Sequence, residues 1–180
     1  MSGKAQIIAY CTLILLIGSM HSRLHLNLSA SAPIGLWTEK PINPATIKRG
    51  TLISFCPPDS PIVRRVIELK TLVEGDCLNT NLAPFLKPVA AVSGDIVRLQ
   101  EGMPARINGS PLLNTISRES FPAWPDGEYK VKPGEVWVFS SYSDRSFDSR
   151  YFGPVSVDQI KGEAAPFLVS GDVAAMTGGN

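Results

Sequence analysis

The sequence predicts a mainly β fold with one or two small helices, and three observations carry that expectation. Fifteen prolines and fifteen glycines in 180 residues punctuate the chain too often for a helical bundle. The apolar runs between them are short and rich in Val, Ile and Thr, as half-buried strands require. An Asn108-Gly109 pair also stands between Arg106-Ile107 and Pro111-Leu112-Leu113, a strong hairpin signal because both turn residues must take positive φ. The length suits a single domain, and a 44% hydrophobic content supports a sizeable core.

Residues 1–22 read as a signal or anchor segment. Lys4 precedes an uncharged run from Ala5 to Met20, with His21 and Arg23 beyond it. Such a run makes about 24 Å of helix, short of the roughly 20 residues of a full span. It fits a signal peptide or a short uncleaved anchor. The best match to a signal-cleavage site, Ala30-Ser31-Ala32, would remove Ser31, so a functional Ser31 favours the anchor. No second apolar segment follows, which places residues 23–170 as one exported domain.

Within that domain Gly35 to Lys40 and Thr51 to Phe55 read as strands, separated by the turn-rich Pro41 to Gly50. Ser60 can cap a helix whose first position is Pro61 and which runs from Ile62 to about Glu74, ending at Gly75. Asp76 to Pro84 is a loop. Val89 to Val92 and Ile96 to Leu99 are strands joined across Ser93-Gly94-Asp95, and the Asn108-Gly109 hairpin follows. Asn108-Gly109-Ser110 also matches a glycosylation acceptor, but the turn accounts for it. Pro122 to Gly127 is a loop, and strands follow at Glu128 to Val131, Glu135 to Ser140 and Ile160 to Val169. The tail, residues 171–180, is small and polar and expected to fray.

Seventeen basic and sixteen acidic residues give a net charge of +1 with no basic run, which leaves nucleic acid without electrostatic support as a partner. His21 and His25 are the only histidines and lie beside the apolar segment, where a solvated role suits them; ligands for a metal are lacking, and no cofactor is implied. Cys56 and Cys77 lie in the exported part, where an oxidising compartment tends to join such a pair, the alternative being two buried thiols.

Three segments concentrate polar chemistry. The octapeptide from Ser146 to Gly153 holds an acid, a base, two hydroxyls and two aromatics, more than an ordinary strand or core helix needs. Without a usable histidine, an activated serine needs another base, and lysine is the known substitute. A free lysine, of pKa about 10.4, is neutral in roughly one molecule in a few thousand at pH 7, and lowering it to about 7 costs about 4 to 5 kcal/mol of desolvation. Lys87, between Phe85-Leu86 and Pro88-Val89-Ala90-Ala91-Val92, has the apolar flanks for this, the alternative being a lysine that snorkels at a strand end. Lys40, Lys48, Lys70, Lys130, Lys132 and Lys161 stand among polar or turn residues. Ser31 precedes Pro33 and Gly35, which hold its backbone at a turn. Its N–H and the Ser29 hydroxyl can serve an oxyanion, although a serine pair after a membrane segment can equally be a linker.

Taken together the segments resemble type I signal peptidases, and most closely the TraF branch, the plasmid conjugative-transfer peptidases. The residues that carry the resemblance are Ser31-x-Pro33-x-Gly35-Leu36, Phe55-Cys56-Pro57-Pro58, Lys87 leading into Gly94-Asp95-Ile96-Val97, and Ser146-Phe147-Asp148-x-Arg150-Tyr151-Phe152-Gly153-Pro154. The resemblance implies a signal-peptidase-like β fold and a serine endopeptidase with Ser31 as nucleophile and Lys87 as general base. It further implies Asp148 and Arg150 as supports of the Lys87 end, and Ser29 as an oxyanion donor. The implied substrate is a pilin precursor, whose new ends this branch can join into a ring. The implied setting is the periplasmic side of the inner membrane, with other conjugative-transfer proteins as partners. Pro88 stands where the family often has arginine, and Ser141 and Ser143 where general signal peptidases have acidic and basic residues. The alternatives are a general signal peptidase for secreted proteins and a catalytically silent pilus-assembly scaffold.

Overall fold

The computed structural model describes residues 24–69 and 72–178, so the expected signal or anchor segment lies outside the described residues. The fold is mainly β, as the turn-punctuated composition requires. A seven-stranded sheet has the order β1-β2-β11-β3-β4-β9-β10, built from β1 (Leu24–Asn27), β2 (Ile34–Lys40), β3 (Leu52–Phe55), β4 (Phe85–Ala91), β9 (Glu135–Val138), β10 (Val155–Ser156) and β11 (Ile160–Ser170). A four-stranded sheet has the order β7-β6-β5-β8, from β5 (Ile96–Leu99), β6 (Arg106–Ile107), β7 (Ser110–Pro111) and β8 (Gly127–Lys130). All recorded pairings are antiparallel. Two helices accompany them, α1 (Pro61–Glu68) and α2 (Ser149–Phe152).

β9 shows why its run of apolar residues is unbroken. Val136 and Val138 face a cluster with Ile53, Phe55 and Val89, while Trp137 faces a second cluster with Val97 and Ile107. Both faces of that strand are buried, so it cannot alternate apolar with polar. The Asn108-Gly109 turn forms as read, with φ of 49° and 84°. The Asn108 side chain is spent internally: its Oδ1 accepts from the Ile96 N–H at 2.8 Å and its Nδ2 donates to Asp95 at 3.1 Å. Asp95 in turn accepts from Arg49 Nε at 2.7 Å, which ties the four-stranded sheet to the entrance of β3 and holds the carboxyl down at about 2.

Several elements differ from the reading of the sequence. α1 begins as expected, with Ser60 Oγ accepting from the Val63 N–H at 3.4 Å and Pro61 in the first turn, but it ends at Glu68, capped by Leu69, rather than near Glu74. The chain beyond is claimed by other partners: Glu74 bridges Leu82, and Cys77 is joined to Cys56 with an S–S distance of 2.10 Å. Gly75 therefore does not cap the helix; its N–H donates to the Asn81 carbonyl, and a side chain there would meet the Ala83 backbone. Gly35, by contrast, falls in β2 as the strand read from Gly35 to Lys40 expects, and β11 approaches it so closely that a Cβ there would stand 2.2 Å from the Leu168 carbonyl oxygen.

The tail does not fray through residue 178. A 3-10 turn spans Ala174–Thr177, and Met176 is completely buried against Ala32, Trp37 and Ala164. One buried methionine in a segment of small polar residues is enough to dock it, a signal that composition averages away.

Candidate active site

The turn that presents Ser31 is built by Asn27, at the end of β1. Its Nδ2 donates to the carbonyls of Ser29, Ala32 and Pro33 at 3.0, 3.1 and 3.1 Å, and its Oδ1 accepts from the Ser29 N–H at 3.1 Å. Buried Trp37 adds a bond from its indole N–H to the Pro33 carbonyl at 3.1 Å. One side chain thus satisfies three backbone acceptors that a tight turn leaves unpaired. Ser31 is left half-buried, between exposed Ala30 and buried Ala32.

Lys87 lies in the third position of β4, not ahead of it, and it pairs with Ile53 across β3. Phe85 and Val89, two residues away on either side, share its face of the strand. Pro88 is accommodated because Val89 supplies the adjoining bonds, donating to the Thr51 carbonyl at 2.9 Å and accepting from the Gly50 N–H at 2.8 Å. Alternation of the ladder turns residue 88 away from β3, where its missing N–H leaves no gap in that pairing. Only 3% of Lys87 is exposed, and its Nζ lies 2.7 Å from Ser31 Oγ. Burial lowers its pKa from the ordinary 10.5 to about 8; the Asp148 carboxylate opposes the shift, and the Arg150 guanidinium adds to it. At pH 7 an amine of pKa about 8 is neutral in roughly one molecule in ten.

Asp148 and Arg150 are both fully buried and form a bidentate pair, with Nε donating at 2.8 Å and a terminal nitrogen at 2.9 Å. The octapeptide is a capped helical turn rather than a loop. Asp148 is the N-cap of α2 and accepts from the Arg150 N–H at 3.2 Å, while Gly153 closes the other end. Arg150 also donates to the carbonyls of Asn114, Ile116 and Ser146 at 3.1, 3.2 and 2.7 Å, so it pins two loops to α2. No hydrogen bond joins Asp148 to Lys87 among the described residues; Asp148 reaches the site through a residue that the sequence did not single out.

That residue is Ser140. Fully buried, it donates its N–H to Asp148 at 3.2 Å and its Oγ–H to the Ser31 carbonyl at 3.0 Å. Ser29 Oγ lies 2.9 Å from Ser31 Oγ and also accepts from the Ser31 N–H at 3.3 Å, so that N–H, expected to be free, is engaged by its neighbour. Among the residues drawn from the sequence, Ser29, Ser31 and Lys87 meet directly and Asp148 and Arg150 stand behind them. Asn27 and Ser140 were missed, since nothing local distinguishes an Asn at the end of a short strand or one serine of the pair Ser140-Ser141. Of the two histidines, His25 lies within the described residues, with Nε2 3.1 Å from Glu39, away from this cluster.

A mainly β domain that sets a buried amine against a serine hydroxyl has the parts of an acyl-transfer site, and the comparison with known proteins gives its class. The family described as signal peptidase, peptidase S26, matches residues 3–168, and the chain belongs to it. Within that class the chain is similar to two plasmid transfer proteins TraF of Escherichia coli. One is 30% identical over 79% of this chain and 81% of that protein, the other 29% identical over 87% and 88%. A probable conjugal transfer protein TraF of Sinorhizobium fredii NGR234 is 32% identical over 79% of this chain and 76% of its own. A signal peptidase I structure from Enterococcus faecalis V583 superposes with a TM-score of 0.38 and 20% identity, over 69% of this chain and 98% of that one, a likeness too loose to define a common fold.

Proposed function

We propose that the protein is a serine endopeptidase of conjugative transfer, anchored by its N-terminal apolar segment on the periplasmic side of the inner membrane, and that it processes a pilin precursor. The observation that carries this reading is the 2.7 Å approach of Lys87 Nζ to Ser31 Oγ on a lysine that burial has brought to about 8. The names of the relatives, which are plasmid and conjugal transfer proteins, support the setting.

The chemistry follows from the geometry. In the fraction with neutral Lys87 the Ser31 hydroxyl donates to Nζ; as Oγ attacks the scissile carbonyl, the amine takes the proton. The Ser29 hydroxyl, 2.9 Å from the attacking oxygen, turns to donate to the developing oxyanion, and the Ser31 N–H is released from Ser29 Oγ to join it. The protonated Lys87 gives its proton to the departing amine, which leaves Ser31 as an ester of the new C-terminus. Water, or the substrate's own N-terminal amine, then attacks the ester; Lys87 accepts the proton of the nucleophile and returns it to Ser31 Oγ as the ester bond breaks, which restores the free hydroxyl and the neutral amine. A tethered amine has a high effective concentration, so ring closure needs no further catalytic residue.

Incubation of the purified pilin precursor with the protein, followed by mass spectrometry, tests the reading. A shortened product is expected, and a product lighter by one water than the linear chain marks cyclisation; a precursor of unchanged mass contradicts the proposal.

A further inference from the structure

Residues 171–178 are exposed or half-exposed along their length except at Met176, which is completely buried. The cluster that receives its side chain includes Ala32, one residue after Ser31, and is packed by Leu86, one residue before Lys87. The Met176 carbonyl accepts from the Ser141 N–H at 2.9 Å, one residue after Ser140, whose hydroxyl holds the Ser31 carbonyl. Through this cluster and the Ser141 bond, Met176 is tied to the segments of Ser31, Lys87 and Ser140, each time one residue from a side chain of the site. Thr177 beside it forms part of the wall of a cleft of about 250 Å³, shared with Pro88 and Ser141.

Little holds this segment down. Its bonds are mostly its own: Met176 N–H to the Val173 carbonyl at 3.1 Å, Ala174 N–H to Asp172 at 2.9 Å and Thr177 Oγ to the Ala174 carbonyl at 3.0 Å. Among the described residues the Ser141 bond is the one that leaves the segment. Met176 and the partly buried Val173 are the segment's apolar anchors, and the entropy of fixing its backbone offsets most of what they contribute, so it docks with little margin. Segments with so few external ties open well below the global unfolding free energy.

We propose that residues 171–178 are a detachable plug that occupies, in cis, the apolar socket beside Ser31, and that the substrate must displace it. The occupant that replaces Met176 is an unbranched apolar side chain next to the scissile bond of the precursor. This inference rests on the peptidase reading, and it adds a competitor for the site carried by the enzyme itself.

A reversible lock tests it. A Cβ placed on Gly178 would lie 3.5 Å from the Ser141 Cβ, inside the range of about 3.5–4.5 Å that a disulfide spans, although φ of +69° at Gly178 imposes some strain. In the full chain carrying Ser141→Cys and Gly178→Cys, oxidation is expected to slow cleavage of the purified pilin precursor at least tenfold. Reduction should restore it, while wild-type protein taken through the same cycle, with Cys56 and Cys77 as its own reducible pair, changes less than twofold. Equal rates in the oxidised and reduced forms overturn the plug. If the wild type cleaves nothing, the peptidase reading has failed; in that event, or if the reduced variant is inactive or its two cysteines do not join, amide exchange on wild-type protein decides. The plug predicts that the amides of residues 173–178 and Ser141 exchange at least a hundredfold faster than Val138, whose N–H is held by Ser149 Oγ at 2.9 Å. Exchange as slow as that of Val138 overturns it.

Discussion

Lys87 Nζ lies 2.7 Å from Ser31 Oγ across 56 residues of sequence, and almost everything around the pair serves to hold that approach. Asn27 shapes the turn on the serine side, β3 and β4 fix the lysine side, and Ser140 links the serine backbone to the buried Asp148–Arg150 pair. What distinguishes this lysine from the others of the chain is its solvent, since neither residue of the pair is unusual in type.

The protonation state of Lys87 sets the pH dependence of activity. Only the neutral amine takes a proton, so the cleavage rate should fall about tenfold for each pH unit below about 8 and level off above it. Lys87→Arg should be as inactive as Lys87→Ala, because a guanidinium stays charged at any working pH. A pH-rate profile of the wild type, with both variants assayed at its plateau, checks this; activity in the arginine variant would show that charge rather than base chemistry is what the site uses.

Burying an amine also has a cost in stability, and its sign can be worked out. The folded pKa of about 8 lies below the ordinary 10.5, so between those values the unfolded chain binds more protons and stability rises with pH. Below about 8 the penalty is at its full size, about 3–4 kcal/mol at roughly 1.4 kcal/mol per unit. Lys87→Met should therefore raise Tm at pH 7, with an advantage over wild type that shrinks as pH climbs from 8 towards 10.5. Thermal melts across that range measure it, and an advantage independent of pH would mean that packing, not charge, explains the gain.

Asp148→Asn should separate support from chemistry. It leaves Arg150 buried without its carboxylate, a change that typically costs about 3–5 kcal/mol. Assayed at a temperature where it remains folded, the variant should lose less activity than Ser31→Ala or Lys87→Ala. A loss equal to theirs would place Asp148 among the reacting groups.

The fold and the site differ in how much of them can be read from sequence. Turn chemistry at Asn108-Gly109 and the cap at Ser60-Pro61 are local, and both form as read. Lys87 is recognisable from its apolar flanks, although Pro88 disguises its position inside a strand, because a proline is tolerated there only once the pairing on its other side is known. Ser140 and Asn27 are invisible locally: their partners, the Ser31 carbonyl and the carbonyls of the turn, come together only in three dimensions. The docking of the tail is hidden for a similar reason, since the socket for Met176 joins Ala164 to Ala32 and Trp37 from the far end of the chain.

Cys56 and Cys77, 21 positions apart, close a loop that carries α1. Reduction, or Cys56→Ser with Cys77→Ser, should cost about 3 kcal/mol of stability. Thiol labelling of the native protein, before and after reduction, should find the two soluble thiols only after it. Labelling of both without reductant would contradict the pairing.

The most direct test of the central claim compares the wild type with Ser31→Ala on the purified pilin precursor, with the product read by mass and the fold of the variant checked by circular dichroism. The substitution removes one half-buried hydroxyl and little packed surface, so the variant should fold normally and leave the precursor at its full mass while the wild type shortens it. A folded Ser31→Ala protein that still shortens the precursor would contradict the account.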